Sequence, residues 1–163
     1  MTEETPSPQE ASAAFNPFEE WPDGKVSWRL RAALFLGGTL GITLLVIAFL
    51  LSPNPEGLGT HQQLGFPQCS FIELFEMPCP SCGMTTSWSH LTKGNVFQSF
   101  RSNVGGALLG IAAIICSPWF LVSGILGKWW IRPPDMVAGF YILLGITIVT
   151  VVQWIVWVTW FPL

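Results

Sequence analysis

Apolar and polar residues fall in long blocks along this chain rather than alternating residue by residue. Three blocks carry no charged side chain: Ala32 to Leu51, Val104 to Gly127, and Met136 to about Trp160. A bilayer core of roughly 30 Å takes about 20 apolar residues in a helix rising 1.5 Å per residue, so each block predicts a transmembrane helix. Two prolines in Ser52-Pro53-Asn54-Pro55 stop the first. The turn from Lys128 to Pro134 closes the second, and the third holds one amide, Gln153. The first block is read as a retained helix. It is too long for a leader, a long polar stretch precedes it, and no small-residue cleavage site follows.

Between the first two blocks the pattern breaks up. Residues 53–68 are punctuated by Pro53, Pro55, Gly57, Gly59, Gly65 and Pro67 and read as irregular. Phe71, Ile72, Leu74, Phe75 and Met77 form an apolar patch too short to span. Met84, Trp88 and Leu91 follow at i, i+4 and i+7, predicting an amphipathic helix with Gly94 as its stop and Asn95 as the next N-cap. In that next helix Val96, Phe97, Phe100 and Val104 share a face and lead into the second span. The expected fold is all-α and integral to the membrane: three transmembrane helices plus two short interfacial amphipathic helices. Residues 29–163 make the membrane domain, with spans at about 32–51, 104–127 and 136–160 and a cysteine-motif loop over 53–103. Residues 1–28 are expected to be a disordered tail. The first 24 hold four prolines and six acids and too little apolar material to offset chain entropy.

Composition agrees. Half of the 163 residues are apolar, 10% are charged and the mean hydropathy is +0.50, where a soluble domain has about a quarter of its residues charged. With seven basic residues and net charge −3 there is no footprint for a nucleic acid. Lys25, Arg29, Arg31, Lys128 and Arg132 fall on one side of the predicted spans, against Lys93 and Arg101 on the other. That bias predicts a cytoplasmic N-terminus and an external 53–103 loop in a multi-pass protein of the cell membrane. Trp129, Trp130, Trp157 and Trp160 sit at span ends as interfacial anchors. Gly37 and Gly41, and Gly106 and Gly110, lie four apart and predict close packing of spans one and two, with homo-oligomerisation as the other use of the same faces.

The chemistry rests on cysteine. Cys116 lies ~18 Å into the second span and reads as a buried hydrophobe. Cys69, Cys79 and Cys82 share the loop, and the last two form a C-x-x-C pair entering a helix. Three uses fit. In redox chemistry, a helix N-terminus stabilises a thiolate, with Cys79 the attacking sulfur, Cys82 the resolving one and Cys69 a relay. As a metal site, Cys69, Cys79 and Cys82 supply three ligands and His61 a fourth, while His90 is carried roughly 12 Å from Cys82 along the helix. As structure, a disulfide from Cys69 would pin the loop. Glu73 and Glu76 have no nucleophile or metal cluster beside them. There is no phosphate-binding glycine loop, H-E-x-x-H or G-x-S-x-G. No acidic or basic residue lies within a span for an ion relay.

Cys69 with Phe71, then Met77-Pro78-Cys79-Pro80-Ser81-Cys82-Gly83-Met84-Thr85, Lys93-Gly94-Asn95 and Asn103, resembles a family of small bacterial membrane proteins of unknown function. Its pattern is C-P-x-C-G-[LM]-T-R, then H-G-[DN] and N-P before a transmembrane helix. Thr86 stands here for the usual Arg, Lys93 for His, and Val104 for Pro. The resemblance implies that Pro80, Gly83, Thr85, Gly94 and Asn103 support the cysteine motif, and it carries no activity or cofactor. The leading expectation is a motif that organises an extracytoplasmic interfacial site, structural or partner-binding, in contact with the bilayer and a membrane or extracytoplasmic protein. A membrane thiol–disulfide oxidoreductase using Cys79 and Cys82 is the alternative, and a metal-binding membrane module the third.

Overall fold

The structure, a computed structural model, describes residues 26–131 and 136–160. The expected disorder of the tail concerns residues 1–25, which lie outside that range, as do Lys25 and Arg132. Among the described residues the fold is all-helical. Three long helices, α1 (Trp28–Leu50), α5 (Val104–Leu126) and α6 (Met136–Trp160), bracket three short ones: α2 (Ser70–Phe75), α3 (Met84–Thr92) and α4 (Val96–Ser102). The three long helices are long and apolar enough to cross a membrane. The chain is a multi-pass membrane protein.

α1 begins a turn before the apolar block, because the Ser27 hydroxyl accepts from Leu30 N–H at 3.4 Å and starts the helix at Trp28, the last residue of the expected tail. At the far end Leu51 turns extended (ψ 143°), ending the helix two residues before Pro53, which has no N–H to continue it. α5 starts on the Asn103 side chain, which accepts from Gly106 N–H, and ends at Gly127, whose φ of +66° suits glycine. Arg31 on α1 donates through Nε to the Gly124 carbonyl and through a terminal nitrogen to that of Ile125, both at 2.9 Å. A cation thereby covers the negative end of α5.

The α1–α5 seam forms where glycines remove side chains between the two backbones. A Cβ on Gly38 would lie 2.5 Å from the Leu121 nitrogen, one on Gly41 would collide with the Ser117 side chain, and one on Gly124 would lie 2.7 Å from the Phe35 nitrogen. The expected use of the glycine pairs is corrected here. Gly37 faces open space, and Gly38 takes its place beside Gly41. Gly106 and Gly110 face α3 instead of α1: a Cβ there would meet Met84 at 3.2 Å and Leu91 at 2.7 Å. Those two glycines are therefore covered within this chain.

The two expected short helices are α3 and α4, and α3 packs on both of its faces. α3 is wedged among α1, α4 and α5. Its apolar side enters the glycine notch of α5, and its hydroxyl side is buried too: Thr86, Ser87 and Ser89 are fully inaccessible. Ser87 bonds the Ser99 hydroxyl of α4 at 2.9 Å, and Ser89 donates to the Leu51 carbonyl at the end of α1 at 2.7 Å. Small hydroxyls let α3 pack closely on both sides, and those of Thr86, Ser87 and Ser89 all find partners, whereas Trp88 Nε1 and His90 Nδ1 on the same helix have none among the described residues. The Lys93 ammonium also donates to the Leu51 carbonyl. Asn103 breaks the run expected to lead smoothly from α4 into α5, adopting extended backbone (φ −165°, ψ 114°). Within the stretch read as irregular, Thr60–Leu64 forms a 3-10 turn.

α6 touches the rest mainly through α5. Thr150 packs on Gly105, and Gln153 Oε1 accepts from Val104 N–H at 2.7 Å, the helix–helix hydrogen bond expected of that amide. Nearly all its other side chains are apolar and exposed, as befits a helix solvated by lipid.

Candidate functional site

Cys79-Pro80-Ser81-Cys82 is a tight turn, with Cys82 N–H donating to the Cys79 carbonyl at 3.0 Å. Proline suits its second position because its φ is preset. Gly83 follows at φ +83°, and a Cβ there would lie 2.6 Å from the Ser102 carbonyl oxygen and 2.9 Å from that of Gly57. Only glycine satisfies both the backbone and the space.

Two side chains hold this turn against the membrane helices, and a hydroxyl pair braces the chain just past it. Asn103 is buried, and its side-chain N–H group donates to the carbonyls of Pro80 at 3.1 Å and Cys82 at 3.0 Å while its oxygen caps α5. One amide thus joins the cysteine turn to the second span. Trp154 of α6 donates from Nε1 to the Pro78 carbonyl at 2.6 Å. Thr86, just past the turn, shares a hydrogen bond with Thr60 at 2.7 Å, and Thr60 accepts from Asn54 N–H. Both hydroxyls are fully buried.

The turn brings the Cys79 and Cys82 sulfurs to 3.1 Å, inside ordinary sulfur–sulfur contact and outside the roughly 2.05 Å of a disulfide. Cys69, the N-cap residue of α2, brings a third, and the three Sγ atoms all lie within 4.8 Å of one another. All three side chains are half-buried and line one cavity of 560 Å³, with Glu56, His61, Ile72 and Met84 also in its walls. Cys116 stands apart in α5.

The two thiols of the pair are electrostatically unequal. Burial pushes Cys79 up, but hydrogen bonds from the Ser81 hydroxyl, from Cys82 and Cys69, and from the Ser81 backbone outweigh it and hold the thiol below its ordinary value. Burial pushes Cys82 up to about 12, reinforced by Cys79, whose thiolate takes the shared hydrogen bond. The first proton to leave the pair comes from Cys79.

His61 lines the same cavity but stays outside the three-sulfur cluster, its Nε2 donating to the Pro67 carbonyl at 3.2 Å. His90 lines a different cavity of 520 Å³ with Glu56, Arg101 and Trp157, as its distance along the helix required. Burial and the Lys93 charge lower its pKa. Thr85 lines the cysteine cavity, while Gly94 (φ +80°) ends α3 beyond Lys93. Trp154 and Thr60 were missed from sequence. Their partners Pro78 and Thr86 are far away along the chain, and no local pattern links them.

Residues 69–117 match the family described as "Protein of unknown function (DUF2752)". The matched segment begins at Cys69, contains all three clustered cysteines and ends at Ser117, under Gly41. The α6 supports, Gln153 and Trp154, lie beyond it. No curated protein and no solved structure matches the chain.

Proposed function

We propose that this chain is a membrane thiol–disulfide exchange protein, with Cys79 as attacking sulfur and Cys82 as resolving sulfur. The bias of Lys and Arg along the sequence supports a site outside the cytoplasm with the N-terminus inside. The observation that carries the reading is the 3.1 Å approach of the two sulfurs in a cavity-lining turn held by Asn103 and Trp154. That separation allows a disulfide to close without moving the backbone far, and the anchored turn keeps both sulfurs ready in the reduced form. This is the alternative expectation from sequence, preferred here to a structural or partner-binding motif, and the partner supplies the second redox pair.

The Cys79 thiolate attacks one sulfur of a partner disulfide. A mixed disulfide forms, the partner's S–S bond breaks, and the departing partner thiolate takes a proton. Cys82, giving its proton to water, attacks the Cys79 sulfur and closes the Cys79–Cys82 disulfide. The partner leaves with its second thiol free and has gained two electrons, which this chain has lost. A reduced client that meets the Cys79–Cys82 disulfide runs the same steps backwards, giving up two electrons and leaving with its own disulfide closed. Cys82→Ala in intact membranes is expected to trap a reducible adduct on Cys79, absent from the Cys79→Ala, Cys82→Ala double variant. A Cys82→Ala protein with no adduct on non-reducing gels sinks the reading.

A further inference from the structure

We infer that the reduced cluster Cys69–Cys79–Cys82 is a binding site for a thiophilic divalent cation, zinc(II) in the test below, with three protein ligands and an open fourth position. It rests on the exchange reading only in needing the same thiols free, and each stands or falls on a different readout.

Three sulfurs are brought together by two separate pieces of chain. Cys79 and Cys82 come from the turn, Cys69 from the start of α2, and all three lie within 4.8 Å of one another. In a tetrahedral zinc site with Zn–S bonds of about 2.3 Å, neighbouring sulfurs are about 3.8 Å apart. The cluster is near that size: the Cys79–Cys82 pair, at 3.1 Å, has to open by several tenths of an ångström, and the Cys69 sulfur lies within 4.8 Å of both. A disulfide explains two of these sulfurs at a time and leaves the third without a reason to be there.

Charge points the same way. Glu56 is the only carboxylate lining the cavity and, among the described residues, no Lys or Arg lines it. Three thiolates there would repel one another with nothing positive nearby, and a bound divalent cation cancels most of that charge. The fourth position faces the cavity. His61 is in the wall, and its bond to Pro67 leaves Nδ1 as the free nitrogen, but it stands outside the cluster. Water or a donor from a bound partner therefore takes the fourth position, the mark of a site that exchanges its metal or its ligand. Binding replaces three S–H bonds by three Zn–S bonds, and the protons pass to the buffer.

The test uses full-length protein in detergent, stripped with chelator and kept reduced. Cobalt(II) as probe is expected to give thiolate charge-transfer absorption and the intense visible bands of a tetrahedral site at one metal per chain, both abolished by zinc(II). Zinc(II) is also expected to protect Cys69, Cys79 and Cys82 of the unaltered protein from alkylation. Cys69→Ser should weaken binding by more than about tenfold, a loss that even outer-shell changes reach, while Cys116→Ser leaves it unchanged. The site is refuted if reduced protein gives no charge-transfer band. It is equally refuted by a band indifferent to Cys69→Ser, or by zinc(II) that leaves the three thiols reactive. The adduct on Cys82→Ala, read without metal, reports on exchange alone.

Discussion

Asn103→Ala cuts the one residue that caps a transmembrane helix and holds the cysteine turn at the same time. Its oxygen accepts from Gly106 N–H at 2.7 Å, and its two amide hydrogens go to Pro80 and Cys82 at 3.1 and 3.0 Å. Loss of the cap costs about 1 kcal/mol. Each carbonyl left without its donor costs about 1 kcal/mol more, because the residue is buried and water has little access. The expected loss is about 3 kcal/mol. Asn103→Ser restores a capping oxygen and neither donor, so it should lose about 2 kcal/mol. Asn103→Asp also caps but turns a carboxylate towards two carbonyl oxygens, and is expected to fall at least as far as Ser. Denaturant unfolding in a fixed detergent, followed by tryptophan fluorescence, ranks the variants. An Ala variant within about 0.5 kcal/mol of the parent, the range of ordinary surface changes, would refute the reasoning, as would Ser losing as much as Ala.

Gly83→Ala should destabilise much more than Gly65→Ala in thermal melts. Both residues have φ +83°, but only at Gly83 would the new methyl press on two carbonyl oxygens, and equal shifts would show that backbone conformation alone matters. Gln153→Leu removes the acceptor of Val104 N–H and is expected to cost about 1–3 kcal/mol, with proteolysis between α5 and α6 accelerated. An unchanged cleavage rate would mean that α6 is held elsewhere. His90 has a lowered folded pKa, so the unfolded chain binds its proton more readily. Its neutral form contributes stability above the unfolded value of 6.5, and that stability is lost as pH falls below it. His90→Gln should flatten the slope of stability between about pH 7 and pH 5; superimposable slopes would contradict this assignment.

The hydroxyl-rich helix α3 explains why a membrane protein has so few large apolar side chains in its interior. Among the described residues the largest fully buried side chains are Thr60, Thr86, Ser87, Ser89, Ser99 and Ser123, whereas Leu, Ile, Val and Phe dominate the exposed surface. Burying apolar groups gains little when lipid is the solvent, so close backbone approach and satisfied hydrogen bonds hold such a fold together. Lys93 belongs to this scheme. It stands on the face opposite the main positive cluster because it covers the open end of α1 with Ser89.

The three spans, their ends and the importance of the cysteine pair could be read from the chain alone. Each depends on local quantities: a run of apolar residues against the bilayer thickness, a proline or glycine at an end, a thiol spacing of three at the entry to a helix. Asn103 was visible through its place in the motif, and Gln153 because a lone amide in a span needs a partner. The path of α3 was not legible. Met84, Trp88 and Leu91 show an apolar stripe, but nothing local says that the serines behind it are buried as well. Gly38 replaced Gly37 in the seam because helix rotation is settled by what the facing helix offers, here Ser117 and Leu121. Cys69 was grouped with the pair from sequence, but only tertiary structure could join Trp154 to Pro78 and Thr60 to Thr86. Those contacts close loops of tens of residues, and their geometry depends on where α1, α5 and α6 come to rest.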